Sequence, residues 1–160
     1  MSSNTKIILY NSLVRSQLEF ASVVWGPHYA TYSQRIESVQ RAFTRHLAFH
    51  SSSISYRTTY DLRLTHFKMI SLGNRRRIIN IMFLKKLISG SIDCSHLLQK
   101  INFSVPYHCP RHPITEIFHI PASRTNLLRY SPLSKICGEY NQICALIDGI
   151  DIFNDTCPGL

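Results

Sequence analysis

The chain has 160 residues, 44% hydrophobic and 17% charged, a balance that suits one globular domain's worth of core and excludes a disordered polyelectrolyte. Its formal charge of +9 is uneven: residues 1–90 carry 13 Lys/Arg against 3 Asp/Glu, and residues 91–160 carry 5 against 6. A basic half beside a neutral half suits a polyanion, most commonly nucleic acid, although solubility charge on a helical surface gives the same count.

From Ile7 onward, Tyr10, Val14, Leu18, Ala21 and Trp25 recur at three- and four-residue spacing, which predicts an amphipathic helix. Leu13, Phe20 and Val24 widen its apolar face enough to imply burial against more than one neighbour. Gly26-Pro27 should end this helix, with the single tryptophan, Trp25, covering the joint. Thr31 and Gln34 have capping-box spacing for a second helix running to about Phe49. Ile36, Val39, Phe43 and Leu47 share one face of it, and Arg41 and Arg45 share the opposite one. Like charges four apart cost a few tenths of a kcal/mol in an isolated helix, so that pair is either carried by ample core stability or presented to an anion.

A short third helix is expected over Tyr56–Leu64, then a long one from about His66 to Ser89 with Gly90 as its C-cap. The long helix is apolar on nearly every side, which predicts a central position. Arg75, Arg76 and Arg77 interrupt that surface, as do Lys85 and Lys86. Three adjacent arginines fan over about 200° of helix, so they cannot all serve one row of phosphates. A short helix should end near Ile101. Residues 102–126 are Pro-rich and read as irregular loop, with a short strand near Ile114–Ile120. Ser131-Pro132 is a start signal for a last helix, with Leu133, Ile136, Cys137, Tyr140 and Cys144 on its apolar face and a frayed end beyond. The expected fold is mainly α, a bundle of five to six helices. Residues 1–101 form a basic helical module, and 102–160 form a loop and helix packed on the same core.

The five cysteines all follow residue 93, and the N-terminal MSSNTK lacks the apolar core of a secretory signal. A reduced intracellular compartment, nucleus or cytoplasm, is therefore expected. No apolar run approaches the roughly 20 residues needed to cross a bilayer, so no membrane association is expected. Cys109-Pro-Arg-His112 offers half of a zinc site without a well-spaced second pair, and Cys137 and Cys144 lie on an apolar face. No metal or other cofactor is expected. Nine acidic residues include no adjacent Asp-Asp pair, and the nearest grouping, Asp148, Asp151 and Asp155, lies in the tail. Two-metal phosphoryl chemistry needs clustered carboxylates. A Gly-rich phosphate loop and a G-x-S-x-G elbow are also missing. The chain reads as a non-enzyme on its own.

The ordered series LYNSLVRSQLEFASVVWGPHY, RIESVQRAFTRHLAF, Tyr56-Arg-Thr-Thr-Tyr-Asp-Leu, Leu72-Gly-Asn-Arg-Arg-Arg and Gly90-Ser-Ile-Asp-Cys with Leu97-Leu98 resembles the C-terminal part of non-LTR retrotransposon reverse transcriptases, nearest the jockey-like insect type. Ile101-Asn-Phe-Ser-Val-Pro106, Arg124-Thr-Asn126, Ser131-Pro132 and Ile147-Asp148 continue the series, so the resemblance covers nearly the whole chain. It implies a thumb and post-thumb region that holds the template–primer duplex behind a polymerase palm. The palm's metal-binding aspartates, the fingers, any endonuclease domain and the Cys/His knuckle of some related elements have no counterpart here. The matched positions are not catalytic in that family.

Three functional expectations follow. The first is a non-catalytic binder of the nucleic-acid backbone, RNA–DNA hybrid or duplex, acting without sequence preference through Arg41, Arg45, Arg75, Arg76, Arg77, Lys85 and Lys86. The second is a packing module that needs the missing palm or another protein to cover apolar surface. The third is a small zinc-binding protein using Cys109 and His112.

Overall fold

The structure, a computed structural model describing residues 2–51, 54–105 and 116–146, is mainly helical. Among the described residues the β pairing is an isolated antiparallel bridge between Phe103 and Phe118. The chain divides into two compact units, Met1–Ile78 and Ile79–Leu160.

In the first unit, α1 (Ser3–Leu9) begins at Ser2, whose hydroxyl accepts the Thr5 N–H at 3.3 Å. The helix widens to π geometry over Tyr10–Arg15 and resumes as α2 (Ser16–Glu19). The single helix expected up to Trp25 is broken at Phe20 and Ala21. Phe20 turns to extended ψ, Ala21 adopts a left-handed conformation at φ 51°, and α3 (Ser22–Trp25) follows. Trp25 closes this break, its Nε1 donating to the Phe20 carbonyl at 2.6 Å. The wide apolar face is also not buried as expected. Tyr10 is enclosed, but Leu13, Phe20 and Val24 are largely exposed, at 66%, 77% and 72%.

The long helix α4 (Ala30–Phe49) ends where its apolar pattern stops. Its first residue follows Tyr29, which makes no side-chain cap, so Thr31 and Gln34 lie inside the helix and form no capping box. The buried stripe is Gln40, Thr44, Leu47 and Ala48, rotated from the Ile36–Val39–Phe43–Leu47 face expected from hydrophobicity. Hydrogen bonding explains the rotation. Gln40 accepts from the Tyr10 hydroxyl at 3.4 Å and donates to the Ile70 carbonyl at 2.9 Å, so a polar side chain ties two distant segments while buried. Tyr10 stacks on Phe43 with centroids 4.0 Å apart.

The third helix, α5 (Tyr60–His66), begins four residues later than the Tyr56 start expected for it and runs two residues past Leu64. It ends at Lys68, left-handed at φ 52°, with Met69 N–H bonded to the Leu64 carbonyl at 2.9 Å and Lys68 N–H to Thr65 at 3.2 Å. That bond pair is the Schellman closure, usually built on glycine. The next helix, α6 (Leu72–Ile88), therefore starts six residues later than the apolar period suggested. Glu37 holds its start: one carboxylate oxygen accepts the Leu72 N–H and the other the Gly73 N–H, both at 3.2 Å, and the Tyr60 hydroxyl donates to the first oxygen as well.

The second half of α6 belongs to the second unit, where Leu84 and Leu87 are fully enclosed, and Gly90 ends the helix at φ 73° as expected. After α7 (Ser95–Leu98) and α8 (Asn126–Arg129), α9 (Pro132–Leu146) buries Ile136, Cys137, Tyr140 and Asn141. Asn141 acts as a strand edge. Its Nδ2 donates to the Phe118 carbonyl at 2.8 Å, and its Oδ1 accepts the Phe118 N–H at 3.1 Å. Phe118 is completely buried, edge-on to Tyr140 at 5.3 Å. The short strand expected near Ile114–Ile120 is thus reduced, in its described part, to the Phe103–Phe118 bridge. The expected frayed end, the Asp148–Asp155 grouping and the Cys109–His112 half-site lie outside the described residues.

Candidate nucleic-acid interface

Arg41 and Arg45 lie one turn apart on α4, both exposed, as their spacing predicts. The first unit brings them to one concavity of about 480 Å³, whose other walls are Tyr56, Arg57 and Thr58 from the turn before α5, and Tyr60 and Arg63 from α5 itself. Two of its cations lie over aromatic rings, an arrangement that restricts a guanidinium without neutralising it. The Arg41 Cζ is 5.1 Å from the Tyr60 centroid, and the Arg57 Cζ is 5.6 Å from that of Tyr56. Arg57 Nε also donates to the Tyr56 hydroxyl at 3.1 Å.

Arg63 forms the floor and is 4% exposed. Its Nη1 donates to the carbonyls of Thr58 and of Tyr56, the latter at 3.4 Å, and its Nε to the Thr44 hydroxyl at 3.4 Å. These acceptors carry no formal charge. Burial first, then the positive charges of Arg45 and Arg41, push the Arg63 guanidinium below its ordinary range, while Tyr60 opposes them. Among the described residues, no carboxylate lines the concavity. The acidic residue nearest in sequence to Arg41, Glu37, is engaged by Tyr60, Leu72 and Gly73.

The arginine fan on α6 splits three ways. Arg75 makes a two-pronged pair with Glu19, Nη2 to Oε2 at 3.0 Å and Nε to Oε1, and that bond lifts the Arg75 guanidinium above its ordinary value. Arg76 is buried, with Nη2 donating to the Ser33 hydroxyl at 3.2 Å. Arg77 is exposed. Of the fan, Arg77 alone has the exposure needed to meet a phosphate without disrupting a contact made by the fold. Lys85, half-buried, and Lys86, exposed, belong to the second unit, whereas the arginine-lined concavity belongs to the first. Arg57 and Arg63 were not singled out from the sequence. Their segment, YRTTYDLR, carries two arginines and two tyrosines, but nothing in its spacing reveals that it folds against α4.

A second concavity in the first unit, about 310 Å³, is apolar and lined by Leu9, Tyr10, Leu13, Val14 and Phe43, with Lys6 and His46 at its margin. Among the described residues no three His, Cys, Asp or Glu side chains come together as a metal site would require, and Cys94, Cys137 and Cys144 are free thiols. Burial pushes the Cys137 thiol up to about 11, which keeps it protonated and a poor metal ligand at neutral pH. No helix among the described residues is long and apolar enough to cross a membrane. Comparison with family models, curated proteins and solved structures finds no match to this chain.

Proposed function

We propose that this chain is a non-catalytic module that grips the phosphate backbone of nucleic acid without reading its sequence, as the thumb-like C-terminal region of a non-LTR retrotransposon RNA-directed DNA polymerase. The observation that carries the reading is the carboxylate-free concavity around Arg41, Arg45, Arg57 and Arg63. The ordered motif series and the basic character of residues 1–90 support it. Guanidinium groups are suited to phosphate because their planar forks donate two parallel hydrogen bonds and stay charged at any physiological pH. Arg41, Arg45 and Arg77 supply the exposed contacts, and Arg63 fixes the turn that carries Arg57. Arg75 and Arg76 leave the binding set, since Glu19 and the fold's own packing hold them. An intracellular site of action goes with this role.

The test is binding of a labelled RNA–DNA hybrid at low salt, with Arg41→Gln/Arg45→Gln compared against the parent. The expected result is binding that the double substitution weakens by about ten-fold or more, two charge-assisted contacts being lost. Absence of binding by the parent protein contradicts the reading.

A second reading has its own observation. Leu13, Phe20 and Val24 expose the apolar face of the first helical stretch, and an apolar concavity lies beside it. Such a face suits a packing role against the polymerase palm. It predicts that the isolated chain self-associates or binds a hydrophobic dye, and a monomer that does neither counts against it.

A further inference from the structure

The arginine cluster has a shape that backbone gripping alone does not require. A duplex presents its phosphates as a row, one per strand for each ~3.4 Å of axis, and a row is met by cations spread along a face. Here four guanidinium groups from three segments, α4, the turn at 56–58 and α5, surround one concavity.

We propose that this concavity receives a single dianionic phosphomonoester, the phosphate at the end of a nucleic-acid strand. The proposal rests on the nucleic-acid reading above and makes it more specific. Charge selects the monoester. An internal diester carries one negative charge, whereas a monoester carries about −1.5 to −2 at neutral pH and three acceptor oxygens. Four cations with no carboxylate among them are better matched by the second. Size permits it, because about 480 Å³ exceeds ten times the roughly 30 Å³ that one water occupies in the liquid. A phosphate and the sugar attached to it fit within that space. Preorganisation favours it too. Arg63 is anchored on two backbone carbonyls, Arg57 is held by the Tyr56 ring and hydroxyl, and Arg41 lies over a Tyr60 whose hydroxyl is fixed by Glu37. Three of the four guanidinium groups are thus restrained before an anion arrives, which lowers the entropy lost on binding.

The experiment measures the affinity of the full chain for one oligonucleotide sequence carrying a 5′-phosphate, a 3′-phosphate or hydroxyls at both ends. Adenosine monophosphate serves as a free competitor. A phosphate at one end should tighten binding by about ten-fold, the scale of one charge-assisted hydrogen bond. Arg57→Gln should bring that ratio to within two-fold, with its helical circular dichroism unchanged. Millimolar adenosine monophosphate should erase the preference. Equal affinity for all three oligonucleotides overturns the end-phosphate proposal while leaving backbone gripping in place. If no oligonucleotide binds but adenosine monophosphate raises the melting temperature, both the backbone reading and the strand-end proposal fall, and the concavity is a free-nucleotide site.

Discussion

Lys68 shows how one residue can hide a helix boundary. A non-glycine side chain in left-handed geometry costs about 1–2 kcal/mol, and the backbone accepts it here because two closing hydrogen bonds end α5 around it. Glycine at this position announces a stop; lysine does not. Lys68→Gly should therefore stabilise the protein by about 0.5–1 kcal/mol, the left-handed penalty less the extra freedom glycine gives the unfolded chain. A urea midpoint that rises at unchanged slope is the expected result. Two tyrosines provide a second residue-scale prediction. Burial pushes the Tyr10 hydroxyl from 10.0 up to about 12, opposed by Arg15 and reinforced by Glu37 and Glu19. Tyr60 is raised as well, by burial first and then by its bond to Glu37 and that residue's charge. A folded value above the unfolded one means stability that is complete below pH about 10 and lost as pH climbs through the folded value. Tyr10 and Tyr60 should thus ionise only as the protein unfolds. Absorbance at 295 nm (tyrosinate) followed beside circular dichroism checks this. All eight ionising near pH 10 with the helices intact contradicts it.

At the scale of elements, helix type and the end of α4 were readable from period and breaker residues, because those signals are local. Gly90 and Ser131-Pro132 marked ends and starts for the same reason. Faces were less readable. Hydrophobicity placed Ile36 and Val39 inward on α4, yet Gln40 and Thr44 are buried in the structure, each through hydrogen bonds to groups far along the chain. Partners of that kind leave no mark in a one-dimensional pattern. The arginine fan was legible as a division of labour but not in its assignment, since Glu19 lies 56 residues from Arg75. Arg57 and Arg63 escaped notice because a site formed by two helices and a turn has no spacing rule. Asn141 is the sharpest case in the second unit. It looks like an ordinary polar residue of an amphipathic helix, but its amide satisfies both backbone groups of the most deeply buried phenylalanine. Asn141→Ala leaves a buried N–H and C=O without those partners and should cost about 2–4 kcal/mol. A loss below about 1 kcal/mol in chemical denaturation contradicts that role.

For the molecule as a whole, charge and cavity point the same way. The excess of positive charge falls in residues 1–90, and the first unit gathers four of those arginines around one hollow that no acidic side chain among the described residues lines. Such a cluster is self-repelling, so any anion that fills it stabilises the fold by mass action. What composition alone left open was whether the basic half is solubility charge or a grip. Solubility charge is dispersed and mixed in sign, so four cations around one concavity support the proposed grip. The most direct test of the grip is the dependence of RNA–DNA hybrid affinity on salt. If about four phosphates are neutralised, the logarithm of the association constant should fall with the logarithm of salt concentration at a slope of about −3 to −4. Arg41→Gln/Arg45→Gln should reduce that slope in magnitude by about 2. A flat salt response, or a slope that the double substitution leaves unchanged, contradicts the account.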